Sequence, residues 1–427
     1  MVVALLFGSF ALLLILRVPI GISLGMSSLI TIFASGVVQP TYLAQGLVTG
    51  ADSFSLMAVP FFVLAGELMA TGGISRRLLN IADAFLGRKY GGLALVTVVA
   101  CMFFAAISGS GPATVAAIGG LTIPSMLKQG YDSPFAGAIS AAAGSIGVII
   151  PPSIPMVMYC VATGVSVGAM FMGGVIPGIL IGVSLCVYSS LYSKKHKYIN
   201  AEAAPFSWGN VGRSLVDGIW ALLVPVIILG GIYGGIFTAT EAAVIATVYS
   251  LIVGMFIYRE LTLKMIWDMF FDCTASMGGM NYTMAVAGAL SAVFVYHGFG
   301  EMVQNFFFSI STNPVVIMSL IFVLLFLAGM FVQTTPIMVI LSPVLLQIVT
   351  PLGISPIQFG LVMLLSLCIA FVTPPVASNL FVAQSMTGLD VVGISKKALP
   401  FMAVLIVSMI IVAFVPAVSM GILSLFS

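Results

Sequence analysis

Apolar runs long enough to form helices follow one another along almost the whole chain. The polar residues between them come in short clusters, not at alternating positions. Alternation would mark half-buried strands, whereas runs of about 20 apolar residues mark helices that cross a bilayer. The pattern predicts helices over roughly 1–16, 18–37, 51–72, 91–107, 111–127, 134–150, 153–172, 174–193, 215–235, 238–258, 273–296, 315–331, 335–350, 356–372, 376–388 and 397–422. Several are too short for a full crossing, which points to re-entrant hairpins and half-helices.

Two of the runs carry a double proline: GSIGVIIPPSIPMVMY (144–159) and SLCIAFVTPPVASNLFVA (366–383). Proline removes a backbone donor and clashes with the preceding turn, so each helix breaks there. In lipid a broken helix is tolerated only where it lines a cavity or a polar site. Two such breaks in corresponding parts of a membrane chain point to the binding site of a transporter.

Composition strengthens this picture. Of 427 residues, 61% are hydrophobic and 6% charged, against about 25% charged in a soluble domain. The chain is read as an all-α polytopic membrane protein embedded in a lipid bilayer. A net charge of +2 with no basic arm gives no reason to expect a nucleic-acid partner. The five cysteines stand singly in apolar segments and show no metal spacing. The N-terminal apolar run lacks a charged start and a small-residue cleavage site, so it reads as a retained first span.

The positive residues serve as topology markers. Arg17, Arg76, Arg77, Arg88, Lys89, Lys128, Lys194, Lys195, Lys197, Arg213, Arg259, Lys264, Lys396 and Lys397 gather in a few connections, which are placed in the cytoplasm. Lys128 and Lys194 share a side if 134–172 is one broken crossing and 174–193 the return. The same logic puts both termini outside and makes 196–234 a cytoplasmic linker. Residues 74–90 have apolar positions at helical spacing with basic ones between them and predict an amphipathic arm on the membrane surface. Residues 260–272 are a second candidate arm.

The regions 101–160 and 325–385 repeat an order of features. A short helix ends in a polar tip, SGSGPAT (108–114) or QTTPIM (333–338). A returning helix, a glycine turn and a broken helix follow. Both Gly130 to Gly353 and Pro151 to Pro374 are separated by 223 residues. With the first unit entering from the cytoplasm and the second from outside, this is an inverted repeat of two re-entrant hairpins and two broken helices around a midplane site.

The tips and breaks concentrate neutral oxygen. Ser108, Ser110 and Thr114 stand at one tip and Thr334 and Thr335 at the other. The breaks free carbonyls near Gly147, Ile150, Thr373 and Val376 and carry Ser153, Ser378 and Asn379. Such ligands suit Na⁺. Helix N-termini after each break suit an anionic substrate, for which Thr114, Ser153, Thr334, Thr335, Ser378 and Asn379 are the candidates. The plainer role for any one hydroxyl is to satisfy freed backbone groups. Asp52, Glu67 and Glu241 lie within or beside apolar spans and must face protein or water. Glu67 could relay protons, pair with Arg17 or cap a helix; structural roles are favoured for it and for Glu241. Enzyme chemistry is not indicated: there is no HExxH, no phosphate-binding loop and no histidine partner for SGSG.

At VPFFVLAGELM (59–69), AAISGSGPATVAAIGGLTIPSM (105–126), GSIGVIIPPSIPMVMY (144–159), YGGIFTATEAAVIATVYSLIVG (233–254) and FVTPPVASNLFVA (371–383) the chain resembles the large membrane subunit of TRAP (tripartite ATP-independent periplasmic) transporters. Within that family it looks most like the sialic-acid branch. The resemblance implies a bacterial inner-membrane protein driven by sodium. An elevator-type transport domain would be made of 91–172 and 315–395. The rest would be scaffold: 1–90, 173–314 and the C-terminal span 396–427. It implies one sodium site at Ser108, Ser110, Gly147, Ile150 and Pro152, and another at Gly329, Ala370, Thr373 and Val376. It also implies a periplasmic substrate-binding protein and a small four-helix membrane subunit, here expected as a separate chain. The reading is a sodium-coupled importer of a carboxylated solute. The alternatives are an autonomous sodium/dicarboxylate elevator symporter and a channel-like or scaffold subunit.

Overall fold

The computed structural model describes residues 2–37, 39–87, 89–198 and 206–426. Arg88 and residues 199–205 of the expected cytoplasmic linker lie outside them. The chain opens with α1 (Val2–Ile15), α2 (Ile20–Ser35), α3 (Pro40–Ala51) and α4 (Ala58–Thr71). Next comes α5 (Ile74–Leu86), the expected amphipathic arm. It buries Ile74, Leu78, Ile81 and Ala82 on one face and exposes Arg76 on the other. Arg77 anchors the arm: its guanidinium binds Glu260 at 2.8 Å and lies 3.5 Å over the Tyr258 ring.

The first hairpin is α6 (Gly92–Ser108), a tip at Gly109–Ser110, and a return arm of α7 (Gly111–Thr114), a π turn (Val115–Gly119) and α8 (Gly120–Lys128). The first broken helix is α9 (Ser133–Gly144), a 3₁₀ turn, the Pro151–Pro152 break and α10 (Ile154–Thr163). The middle of the chain holds α11 (Val167–His196), α12 (Trp208–Asp217), α13 (Ile219–Tyr233), α14 (Ala239–Ile252), α15 (Leu263–Tyr296) and α16 (Phe299–Ile310). The second hairpin is α17 (Pro314–Phe331) and α18 (Thr334–Val349), and the second broken helix is α19 (Pro356–Ala370) and α20 (Ser378–Thr387). Helices α21 (Val391–Phe414), α22 (Pro416–Met420) and α23 (Leu423–Phe426) end the chain.

Seven helices among the described residues are long and apolar enough to cross a membrane. Helices α12 and α13 meet at 63° and add an eighth span if they are counted together. The arms of the first hairpin and both broken helices are shorter, as the internal repeat requires. Gly130 and Gly353 turn with almost the same left-handed backbone, φ 79° and 78°, and both double prolines hold a cis bond. The two repeats interlock: α10 packs on α18, while α20 packs on α9 and on the return arm of the first hairpin. The Tyr159 hydroxyl reinforces this by donating to the Pro356 carbonyl at 2.6 Å. Helix α21 lies along α9 and α19, and α11 along α6, α19 and α21.

Some element limits differ from the sequence pattern. The helix expected over 153–172 ends at Thr163, where Gly164 takes φ 75°. Ser166 then caps the following helix by accepting from the Ala169 amide, so α11 runs through 173 without interruption. Residues 260–272 are not a separate arm, because Thr262 caps a single 34-residue α15. The final long helix is α21, set earlier than 397–422 and ended before Pro416. Helices α3 and α16 were not foreseen, since their polar residues hide the apolar pattern. Helix α3 is held by close packing: a Cβ on Gly50 would sit 2.8 Å from the Ala285 carbonyl of α15.

Candidate functional site

The first oxygen cluster forms where the tip of hairpin one meets the first break. The Ser108 and Thr114 hydroxyls lie 3.0 Å apart, and Thr114 donates to the Ser110 carbonyl at 2.7 Å. Gly147 brings the broken helix against this group. A Cβ there would collide with the Thr114 hydroxyl and stand 2.6 Å from the Ser110 carbonyl oxygen. A Cβ on Gly109 would stand 2.8 Å from the Pro152 carbonyl, and the Ile154 amide donates to the Gly109 carbonyl at 3.2 Å. Ser108, Ser110, Gly147 and Pro152 are therefore neighbours, and Thr114, expected on the substrate side, sits among them. Ile150 is at the break, with its side chain against Gly178 of α11. Ser153 is fully buried, donates to Val148 at 2.6 Å and caps α10. That is the plain backbone-satisfying role.

The second cluster repeats the arrangement with different chemistry. A Cβ on Gly329 would lie 2.8 Å from the Ala370 Cβ, and the Val376 amide donates to the Met330 carbonyl at 3.1 Å. Thr373 donates its hydroxyl to Ile369 at 2.8 Å and its amide to Ala370 at 3.1 Å. Gly329, Ala370, Thr373 and Val376 thus converge. Ala377 completes the break at φ 37°, a conformation that costs a non-glycine residue on the order of 1–3 kcal/mol. Among the described residues the buried Ser378 hydroxyl has no partner. Asn379 is fully buried and uses its amide to bind the first repeat. Thr334 and Thr335 open α18 at the tip of hairpin two.

Both clusters offer neutral oxygens. No group of three or more His, Cys, Asp or Glu side chains able to hold a metal occurs among the described residues. The donor set therefore fits an alkali cation and not a transition metal.

Two cavities adjoin the hairpin tips. One, of about 670 Å³, lies between α4, α15 and hairpin one and is lined by Gly66, Glu67, Ser108, Ser110, Ala113 and Met280 among others. The other, of about 730 Å³, is lined by Gly21, Gly279, Tyr282, Thr283, Gln333 and Pro336 among others. The α15 stretch Met277–Thr283 contributes to both. Sequence reasoning missed these wall residues, because MGGMNYT has no break or charge to single it out.

The intramembrane acids divide. Glu241 forms a capping box with Thr238, accepting from its amide at 2.8 Å, which is a structural role. Asp52 is exposed after α3. Glu67 lies within α4 and faces the first cavity, and among the described residues it forms no ion pair with Arg17. The charges that do pair lie elsewhere, as in Lys397–Asp132 at 3.8 Å, with Lys397 also donating to the Tyr192 hydroxyl at 2.9 Å.

Known proteins are similar to this chain. The isethionate TRAP transporter permease protein DctMQ of Oleidesulfovibrio alaskensis is 46% identical over 97% of this chain, which spans 65% of that protein's length. The C4-dicarboxylate TRAP transporter large permease protein DctM of Vibrio cholerae is 38% identical, covering 98% of this chain and 97% of its own. The sialic acid TRAP transporter large permease protein SiaM of Vibrio cholerae is 34% identical, covering 95% and 94%. Among solved structures, the YdaH transporter of Alcanivorax borkumensis shares the fold with TM-score 0.64 at 16% identity, over 89% of each chain. Residues 7–418 match the family described as "Tripartite ATP-independent periplasmic transporter, DctM component". With paired hairpins and broken helices in place and the match covering nearly its full length, the chain belongs to the DctM family of TRAP transporter large permeases.

Proposed function

We propose that this chain is the large membrane subunit of a sodium-coupled secondary importer of an organic acid, in the bacterial inner membrane. It takes its solute from a periplasmic binding protein and works beside a small four-helix membrane subunit. The observation that carries the reading is the convergence of Ser108, Ser110, Thr114 and Gly147 at the first break. The neutral set of Gly329, Ala370, Thr373 and Val376 at the second break matches it. When bound, Na⁺ would supply positive charge at these breaks, next to α10 and α20 N-termini that favour an anion. Thr334, Thr335 and Ser378 are then the candidates on the substrate side, with Ser153 and Asn379 engaged in backbone capping and in the contact between the repeats. The interlocking of the repeats supports their movement as one body, an elevator stroke of 91–172 with 315–395 against the remaining helices.

For the solute, the resemblance to the sialic-acid branch points to a carboxylate such as sialic acid. A small sulfonate is the second reading, favoured by the 46% identity to the protein named for isethionate. Uptake into proteoliposomes holding both membrane subunits and the binding protein tests the reading, with sialic acid, a C4-dicarboxylate and isethionate offered in turn. Accumulation is expected with an inward sodium gradient and without ATP. Equal accumulation in sodium-free potassium medium would sink it.

A further inference from the structure

The cavity at the first hairpin tip contains one carboxylate that neither oxygen cluster uses. Glu67 is half-buried in the middle of α4 and shares the cavity wall with Ser108 and Ser110. The turn that carries it is seated against the first cluster, because a Cβ on neighbouring Gly66 would lie 3.1 Å from the Ser108 Cα. Among the described residues no Lys, Arg or His lines the cavity, and the charged group acting on Glu67 is a second carboxylate, Asp272 of α15. Among the described residues the ion pairs are Arg76–Glu260, Arg77–Glu260, Arg77–Asp217 and Lys397–Asp132, so Glu67 is in none of them.

A carboxylate within a membrane span is expensive and persists where water or a cation meets it. It also carries no helix-capping duty here, unlike Glu241, whose side chain accepts from Thr238. In a low-dielectric recess an unpaired negative charge raises the local cation concentration and lowers that of anions. An organic anion therefore gains nothing from Glu67, while a cation bound for Ser108, Ser110 and Thr114 does.

We infer that Glu67 is the cation-concentrating residue of the first sodium pathway. Its carboxylate draws Na⁺ into the cavity, and the neutral oxygens of the tip then take the ion without Glu67 joining their ligand set. It is a positioning residue that acts by charge and not by geometry. The inference rests on the sodium-coupled reading.

Binding of radioactive sodium to the purified protein in nanodiscs, together with its small subunit, tests this directly. Glu67→Gln should weaken apparent sodium affinity roughly 3- to 30-fold at low ionic strength. The gap should shrink as choline chloride is added, because screening removes a long-range attraction. Glu67→Asp should bind nearly as the parent does. Should Glu67→Gln fail to accumulate, Met280→Lys introduces an opposite charge from the α15 wall and should lower sodium affinity likewise. Sodium binding by the parent and equal binding by all variants would overturn the inference alone. So would a change confined to the pH dependence of binding, which would make Glu67 a proton carrier. Absence of sodium binding by the parent would remove the sodium-coupled reading as well.

Discussion

The Ser145 hydroxyl reaches the Cys368 carbonyl at 3.5 Å, and the two residues are 223 positions apart. That is the offset between Gly130 and Gly353 and between Pro151 and Pro374. Equivalent residues of two copies touch only close to the axis relating them, so the axis passes between the turns that precede the breaks. The joint is polar on one side only. Asn379 donates to the Ala141 carbonyl at 2.9 Å and to the Ser145 hydroxyl at 3.2 Å, while its equivalent in the first repeat is the buried, apolar Met156.

Asn379→Leu should therefore loosen the contact between the repeats. It removes two buried hydrogen bonds, to the Ala141 carbonyl and the Ser145 hydroxyl, each worth on the order of 1 kcal/mol. A lower melting temperature in detergent is expected, with reduced uptake. Stability equal to that of the parent would show that the joint contributes nothing.

Gly147→Ala should disable the first cluster while the protein still inserts. The added methyl meets the Thr114 hydroxyl and the Ser110 carbonyl, and overpacking of this kind costs about 1–3 kcal/mol. Uptake at matched expression is expected to fall at least tenfold. Gly393→Ala is the control, since nothing lies within 4 Å of a Cβ there. Equal uptake by the two variants would mean that the close approach at Gly147 is not needed.

Thr373→Ala should raise the sodium concentration for half-maximal uptake, and Thr373→Ser should restore it. The hydroxyl gives its proton to Ile369 at 2.8 Å, so the oxygen lone pairs remain for a cation. Loss of this bond alone costs about 1 kcal/mol of stability. A stability loss with unaltered sodium dependence would assign Thr373 to the backbone and not to the ion.

Cross-links separate a moving body from its wall. Cysteines at Ala117 and Met280 face the same cavity from hairpin one and from α15, and a bifunctional thiol reagent joining them should stop uptake. Cysteines at Gly119 and Ser140 lie within the first repeat, where a Cβ on Gly119 would stand 3.5 Å from the Ser140 Cβ, and joining this hairpin to its broken helix should be tolerated. Inactivation by both links, or by neither, would argue for local gating.

Orientation follows from charge. In a cysteine-free background, Lys195→Cys should react with an impermeant thiol reagent from the cytoplasm and Asn313→Cys from the periplasm. Reaction of both from one side would overturn the inverted repeat.

The class, the breaks, the duplicated unit and the amphipathic arm were all legible in the chain. Each depends on local chemistry that a sequence displays: apolar length, proline without its donor, a left-handed glycine at 130 and 353, and helical spacing of Ile74, Leu78 and Ile81. The helix limits at Thr163 and Val167 were less legible, because one glycine and one capping serine decide them inside a continuous apolar run. The arrangement of the site belonged to the tertiary structure. Only packing puts Thr114 between Ser108 and the Ser110 carbonyl, and only the crossing of α20 onto α9 brings Asn379 to Ala141. Likewise, Glu67 became a cavity residue and Glu241 a cap through their surroundings, since a carboxylate's role is set by what faces it and not by its neighbours along the chain.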